Sequence, residues 1–394
     1  MRGLAAFFVF LDHLSYSNHD VYTAWGTGEG NREFLRLPLI RFFYTGAAML
    51  MRDGDWGSLL HTLFSSVFRR AIRLFLPCVA STLLIVFLVR IGVYEWTREI
   101  ANDPKRFPIR REHHPWRYDT TSEQLAVWAM KMWSFVNPYT FDIREGDSAI
   151  DLDGHLWTIP VEFRASLILY LTQLGLSRLK PTLRMFGLVS LMTWAHQMER
   201  WEMIMFYGGF LLAELDIRRR AKVATDSFSS APLSPEPSRA WSAVYVLTFL
   251  GGLYLGGQPG SHLEHAPGWA TLNAWIPGHI KHRQRYWTGW GALLLIWSTS
   301  IHPPLQRLFT NSLVQYLGKI SFPLYLMHGA VIHTVGKETG FCMAAICVIV
   351  VTVWAADVFM RVVDVPTIKF AKWLEERCVV RESKEQVRVG ITPV

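Results

Sequence analysis

Apolar residues are concentrated along the chain in segments of 13 to 24 residues, separated by polar stretches. Segments of this length and apolarity predict membrane-spanning helices. Several contain polar residues, which a membrane bundle tolerates where they face protein or water. We therefore predict an all-α, polytopic membrane helical bundle of about ten transmembrane helices. The predicted spans are 3–15, 34–51, 74–94, 155–175, 185–199, 201–216, 241–257, 286–302, 313–335 and 339–362.

The first of these segments is too short to cross a bilayer by itself. Segment 3–15 has 13 residues, whereas a spanning helix needs about 20. We therefore expect either that the helix begins upstream of Met1 or that it enters a thin or hydrated part of the bundle.

The composition and the placement of charge agree with a membrane protein. Charged residues make up 18% of the chain, compared with about 25% in soluble proteins. The formal net charge is +8, but the basic residues cluster between apolar segments, in 52–73, 176–184, 217–240 and after 362. This clustering indicates orientation in a bilayer rather than a nucleic-acid partner, and it predicts that both termini are cytosolic. The long outer loop 95–153 is also basic, which opposes this orientation, but long loops count for less.

A membrane domain is predicted over 1–365, followed by a charged cytosolic tail at 366–394. The outer loop 95–153 belongs to this domain and should contain an amphipathic helix near 122–135. The cytosolic loop 218–240 also belongs to it, and its Ser/Pro-rich sequence predicts disorder.

Ionisable residues flank the first apolar segment, in MRGLAAFFVFLDHL. Arg2 and His13 are eleven residues apart, which places them on one helix face about 16 Å apart. In an isolated helix, Arg2 would anchor the cytosolic end and His13 would mark the outer end. Asp12 beside His13 favours a hydrated site instead, since a charge at mid-bilayer costs about 2.5–3.5 kcal/mol.

A basic cluster precedes the third span, in FRRAIRLFLP. Arg69 and Arg73 are i, i+4 neighbours on one face, and Arg70 lies beside them. One explanation is anchoring at the cytosolic surface. The other is a clamp for the phosphates of a donor such as coenzyme A, because guanidinium groups bind phosphate bidentately.

The motif GHLWTIPVEF places His155 and Glu162 seven residues apart, on one helix face, with Pro160 between them as a predicted kink. A glutamate inside a span must be paired, protonated or exposed to water. Glu162 is therefore either the partner of Arg2, Arg41 or another basic group, or a group that orients a catalytic base.

A second polar stripe lies in GKISFPLYLMHG near the end of the apolar region. Ser321, Tyr325 and His328 fall at i, i+4 and i+7 of the predicted helix, so they share one face. Three such side chains would line a hydrophilic interior. Taken alone, His328 is equally well explained as a core histidine with satisfied hydrogen bonds.

Five segments in this order resemble one family, the acyltransferase 3 family of integral membrane O-acyltransferases in its fungal form. They are RGLAAFFVFLDH, FFYTGAAM, RRAIRLFLP, LWTIPVEF and ISFPLYLMHG, and they cover about positions 1–360. Each motif alone is weak, but five in the right order and spacing are specific. The chain departs mildly from the family at Thr45, because a serine usually precedes the glycine that is Gly46 here.

The resemblance implies a ten-helix bundle that transfers an acyl group, most commonly acetyl, from cytosolic acyl-CoA to a hydroxyl of a small molecule, a lipid or a glycan. Acyl-CoA is then a co-substrate, and no permanently bound cofactor and no metal is expected. By position, the functional residues of the family correspond to Arg2, His13, Arg69, Arg70, Arg73, Glu162, Tyr325 and His328.

Direct transfer is expected, because no Ser or Cys lies in a nucleophile-elbow setting. We expect His13 to act as the general base, with its ring oriented by Asp12 or Glu162. Tyr325 or Ser321 would donate to the developing oxyanion. The expected catalytic residues are thus His13, Asp12, Glu162, Tyr325 and His328, and the expected acyl-CoA-binding residues are Arg2, Arg69, Arg70, Arg73 and Trp157.

Two alternatives stay open. In a proton-coupled transporter, Asp12, His13, Glu162 and His328 would relay protons. The arginine cluster favours the acyltransferase, because a phosphate-bearing donor needs it and a proton path does not. Transfer to a luminal acceptor, with the loop 95–153 as the acceptor platform, is the other alternative.

Overall fold

The structure is a computed structural model that describes residue 10 and residues 59–102, 114–137, 152–227, 238–259, 263–334 and 341–378. Within these residues the chain is helical and contains no β-strand. The helices are α1 (Leu59–Arg90), α2 (Val93–Asn102), α3 (Thr121–Val136), α4 (Thr158–Leu176), α5 (Pro181–Gln197), α6 (Trp201–Ser227), α7 (Arg239–Gly256), α8 (Trp269–Ala274), α9 (Thr288–Ile301), α10 (Pro303–Arg307), α11 (Ser312–Lys319), α12 (Ser321–Thr334), α13 (Phe341–Phe359) and α14 (Val365–Cys378). A 3-10 turn, Gly154–Trp157, precedes α4, and a π-helical segment, Met360–Asp364, joins α13 to α14.

Two helical stretches in the described part of the chain are long and apolar enough to cross a membrane, Ser65–Arg90 and Ile346–Cys378. Helices also occupy the other predicted spans from 155 onward, but they do not meet the same criterion of length and apolarity. The spans 3–15 and 34–51 lie outside the described residues, except for Phe10. The all-helical class is confirmed, whereas the number of ten spans is not.

Two prolines determine where the helices around the site begin. Proline lacks a backbone N–H, and its ring clashes with the carbonyl four residues earlier, so it is tolerated in a first turn and disfavoured in a helix interior. Pro323 interrupts the predicted span 313–335, and α12 therefore begins at Ser321. Pro160 lies in the first turn of α4. The predicted kink between His155 and Glu162 is therefore wrong, because the α-helix starts only at Thr158.

A buried cluster around α1 supports the site. It joins residues of α1, α3, the 3-10 turn, α4 and α12, which include Phe75, Cys78, Phe135, Leu156 and Leu326. A second cluster packs α4, α5, α6 and α9 together, and a third packs α11, α12 and α13. The 3-10 turn is thus held between α1 and α12.

The polar regions contain more helix than the sequence predicts. Helix α3 confirms the helix predicted near 122–135. The predicted disordered loop 218–240 begins inside α6, which continues to Ser227 through arginine, alanine and lysine residues, all strong helix formers. The first part of the charged tail forms α14, and 379–394 lie outside the described residues.

Candidate active site

Asp153 and His155 form a buried pair at the start of the 3-10 turn. The backbone of Asp153 is extended, so its carboxylate folds back over the turn as an N-cap. Its Oδ1 accepts hydrogen bonds from the backbone N–H of His155 at 3.0 Å and from His155 Nδ1 at 2.8 Å. The residues are 4% and 7% exposed. The carboxylate therefore sets the orientation of the imidazole.

His328 of α12 lies against His155. The two ring centroids are 4.6 Å apart, and His328 is fully buried. His328 Nδ1 is 2.6 Å from the backbone carbonyl of Tyr325. A carboxylate and a carbonyl only accept hydrogen bonds, so Nδ1 is the protonated nitrogen in both rings and Nε2 is the acceptor in the neutral form. The imidazoles of His155 and His328 thus lie side by side, and each has the tautomer in which Nε2 can accept a proton.

Tyr325 connects α12 to the segment that carries His155. Its hydroxyl donates to the backbone carbonyl of His155, and the Thr158 hydroxyl is 2.6 Å from the same phenolic oxygen. The proton of Tyr325 is therefore used to hold the 3-10 turn. This contact fits a positioning role better than the oxyanion donor that the sequence suggested.

An ion pair between Arg70 and Glu162 lies next to this network. Arg70 Nη2 is 2.6 Å from Glu162 Oε1, and Arg70 Nε donates to Ser166 Oγ at 3.0 Å. Glu162 is four residues beyond Thr158 on α4, which is about 6 Å along the helix axis. The pair thus lies about one turn from the Tyr325 hydroxyl and joins α1 to α4.

The other arginines of the basic cluster lie in different surroundings. Arg69 Nε is 3.1 Å from Glu375 Oε2, which joins α1 to α14. Arg73 is exposed. The sequence predicted one clamp made of three arginines, but Arg69 and Arg70 each pair with a carboxylate, on different helices.

Trp157 ends the 3-10 turn and stacks with a cation. The guanidinium carbon of Arg285 is 5.1 Å from the ring centroid of Trp157 and 5.0 Å from that of Trp201. These distances are typical of cation–π contacts. Arg285 therefore contacts the last residue of the turn, whereas Asp153 caps its N-terminal end. The expected contact of Trp157 with acyl-CoA is not tested by this arrangement.

The predicted residues of the first helix, Arg2, Asp12 and His13, lie outside the described residues. Phe10 is helical and buried, and its ring is 6.3 Å from that of His328 in an edge-on arrangement. His13 follows Phe10 by three residues in the sequence.

Comparison with known sequences decides the family. A family profile described as "Acyltransferase domain", that of the acyltransferase 3 family, matches residues 1–361. The chain belongs to the acyltransferase 3 family. The resemblance seen in the sequence motifs is thereby confirmed.

Curated relatives of this acyltransferase carry matching names. It is 26% identical to the O-acetyltransferase PaAT-1 of Phomopsis amygdali over 441 aligned positions, which cover 98% of this chain and 85% of the relative. It is 26% identical to the acyltransferase clz18 of Cochliobolus lunatus and 25% identical to the acyltransferase R4 of a Phoma species. Those alignments cover 70% and 69% of this chain and 60% of each relative. No solved structure matches the chain. The chain is therefore an acyltransferase enzyme.

Sequence reasoning missed Asp153 and Thr158 in this acyltransferase. The helical spacing of His155 and Glu162 drew attention to one face of a single helix, whereas the two residues lie in different elements. The signal for Asp153 was present in the sequence DGH, because an aspartate two residues before a histidine, with glycine between them, is typical of an Asx turn.

Gly329 allows the close approach of α12 to the Asp153 and His155 pair. A Cβ atom at this position would lie 2.9 Å from both Asp153 Oδ1 and His155 Nδ1, closer than these atoms can pack. We expect Gly329→Ala to lower kcat about 10–100-fold, since small displacements of catalytic groups have effects of this size. Gly318→Ala is the matched control, because its Cβ would meet no atom within 4 Å. Acyl transfer by the two purified variants measures the difference, and equal rates would contradict the close packing.

Proposed function

We propose that this acyltransferase moves an acetyl group from acetyl-CoA to a hydroxyl of a small-molecule or lipophilic acceptor, with His155 as the general base. The observation that carries the proposal is the buried Asp153 and His155 pair, whose geometry makes Nε2 the proton acceptor. The choice of acetyl is supported by the name of the relative that this chain matches over 98% of its length, an O-acetyltransferase. The transporter alternative has no comparable support.

In the proposed reaction, His155 Nε2 removes the proton of the acceptor hydroxyl as its oxygen attacks the thioester carbonyl. The tetrahedral intermediate collapses, the carbon–sulfur bond breaks, and the coenzyme A thiolate leaves. The imidazolium returns its proton to that thiolate. Asp153 stabilises the imidazolium while it exists, as the aspartate does in hydrolase triads. Atoms and charge balance without a metal or a redox step.

The neighbouring groups have supporting roles in this proposal. Tyr325 and Thr158 position the backbone of His155. His328 places a second imidazole against the reacting one. The assignment of the base to His13, oriented by Asp12, stays a prediction, and the described residue nearest to His13 in the sequence, Phe10, lies against His328.

Acyl-CoA binding is proposed at the N-terminal half of α1, which carries Arg69, Arg70 and Arg73, with Arg2 and Trp157 as further candidates. Exposed Arg73 is the residue of this group best suited to contact phosphate directly. Arg70 would act through Glu162, by holding α4 next to the site. We further propose a multi-pass membrane location with cytosolic termini, supported by the two apolar helical stretches Ser65–Arg90 and Ile346–Cys378 and by the basic polar segments.

The proposal is tested with the purified protein in lipid nanodiscs and [1-¹⁴C]acetyl-CoA. Acceptors are offered by class: aliphatic alcohols, phenols and glycosides. We expect acceptor-dependent release of the coenzyme A thiol and label in a hydroxylamine-labile ester. His279→Ala, which changes an exposed histidine, should retain this activity. Transfer only from longer acyl-CoA donors would overturn the choice of acetyl, and the absence of ester from every donor and acceptor would overturn O-acyl transfer.

A further inference from the structure

Helix α3 runs antiparallel to α1 and in contact with it, which is unexpected for part of an outer loop. Near the end of α1, Arg90 Nη1 donates to the carbonyl of Tyr118 at 2.7 Å, just before α3 begins. Further back on α1, Thr82 Oγ1 accepts from Trp128 Nε1 at 3.1 Å. The residue numbers of these contacts decrease along α1, from 90 to 82, and increase along the segment that leads into α3, from 118 to 128, as they do in an antiparallel pair.

The end of α3 reaches the middle of α1. The rings of Phe135 and Phe75 are 5.7 Å apart, edge to face. From Arg90 back to Phe75 is fifteen residues, which is about 22 Å along α1. All three contact levels lie within the stretch Ser65–Arg90, which is apolar and long enough to cross a membrane. Helix α3 therefore lies beside the apolar part of a spanning helix over most of its own length.

The outward face of α3 is apolar. Trp133 is 78% exposed and Met130 is 65% exposed, and Leu125 and Val136 are exposed beside them. At 100° per residue these side chains lie within about 140° of the helix circumference. The only charged residue from 124 to 136 is Lys131, which falls outside this arc and is half-buried. A helix with apolar residues on its packed and its open side is typical of a membrane environment.

Lipid hydrocarbon is the occupant that fits this face. The open side of α1 at the same level is also apolar and exposed, at Leu83 and Phe87, so the two faces belong to neighbouring helices at one depth. Large contiguous apolar patches are rare on the surface of soluble proteins. The described part of the outward face offers no charge for a charged partner.

We propose that α3 is inserted in the bilayer beside α1, with Leu125, Met130, Trp133 and Val136 against lipid. The region 95–153 is then not wholly an outer loop. Leu152 and Leu156, which flank Asp153 and His155, belong to the same buried cluster as Cys78 and Phe135, so this region brings the site to the depth of the inserted helix. The proposal rests on the membrane location given under Proposed function.

The test uses nitroxide spin labels on single cysteines in nanodiscs, with the native cysteines replaced. Labels are placed at Met130→Cys and Trp133→Cys, with Phe87→Cys of α1 as the lipid reference and Ser122→Cys at the start of α3 as the water reference. Collision rates with oxygen, which partitions into lipid, and with a water-soluble nickel chelate are measured at each site. We expect Met130→Cys and Trp133→Cys to match Phe87→Cys, with high oxygen and low nickel collision rates.

The two reagents separate the competing outcomes. High nickel collision rates at Met130→Cys and Trp133→Cys, with Phe87→Cys still protected, would show that α3 is a water-exposed loop helix. That result would overturn the insertion of α3 but not the membrane location. Low rates with both reagents would show a protein partner, such as a second copy of the chain, and would also overturn it. High nickel rates at Phe87→Cys would overturn the membrane location as well. Leu125→Cys gives a second reading of the face if Trp133→Cys fails to fold.

Discussion

Replacement of His155 by alanine is expected to lower kcat for acyl transfer by about 10²–10⁴-fold, the usual contribution of a general base. The KM for acetyl-CoA should change little, because the donor's phosphates are proposed to bind at the arginines in the N-terminal half of α1. The physical reason is the loss of an imidazole whose Nδ1 proton is held by a buried carboxylate. Initial rates with [1-¹⁴C]acetyl-CoA in nanodiscs measure the effect.

Asp153→Asn provides the matched test of the same pair. An asparagine of the same size can offer an N–H to Nδ1 and so favour the wrong tautomer, which is expected to lower kcat with the fold intact. The two residues act as a unit. The variant that combines Asp153→Asn with His155→Ala should therefore have nearly the same kcat as His155→Ala alone. Additive losses would contradict the pairing.

The same assay decides between the two candidate bases. If His13 is the base, His13→Ala should abolish transfer while His155→Ala stays within threefold of the parent rate. That result would overturn the assignment to His155 and leave Asp153 and His155 as structural residues. His279→Ala controls for a change in histidine content at an exposed position.

The helical spacing of apolar and polar residues predicted the fold class and the part of the site that α12 contributes. Ser321, Tyr325 and His328 were predicted on one helix face, and the structure places all three in α12, with Tyr325 and His328 in the site. Such a prediction succeeds because the positions are local and one helix relates them. The motif GHLWTIPVEF was also identified as polar, but not through helical spacing, because His155 lies in the 3-10 turn and Glu162 in α4.

Contacts between distant segments could not be read from one sequence. Glu162 had several basic groups as possible partners, and the choice of Arg70, 92 residues away, depends on how α1 packs against α4. Asp153 was missed because the carboxylate acts through an extended backbone and a 3-10 turn, where helical spacing has no meaning. The position of α3 was missed because a basic loop with a short helix resembles a soluble segment in composition.

The site therefore combines two kinds of interaction. Short-range hydrogen bonds hold the imidazole of His155, since Asp153 lies two residues before it. Long-range contacts set the depth and the direction of the turn, through Tyr325 on one side and Arg285 on the other. Loss of a short-range contact should change kcat, whereas loss of a long-range contact should first change stability.

Replacement of Arg70 by methionine is expected to destabilise the fold by about 1.5–3 kcal/mol, because it removes a charge-assisted hydrogen bond from a partly buried carboxylate. The side chains of Arg70 and Glu162 are only 15% and 22% exposed, so water cannot fully compensate Glu162. Methionine keeps much of the length and apolar contact of the arginine stem. Thermal unfolding of the purified variants measures the loss.

The double variant Arg70→Met with Glu162→Gln separates the ion pair from acyl-CoA binding. It removes both charges, so most of the stability should return. If Arg70 acts only through Glu162, the KM for acetyl-CoA in the double variant should match that of Glu162→Gln alone. A further rise in KM would instead show that Arg70 contacts the donor. Arg73 is an exposed arginine three residues along the same helix. Arg73→Met should change stability by no more than about 0.5 kcal/mol, and a loss as large as that of Arg70→Met would contradict a specific role for the partly buried pair of Arg70 and Glu162.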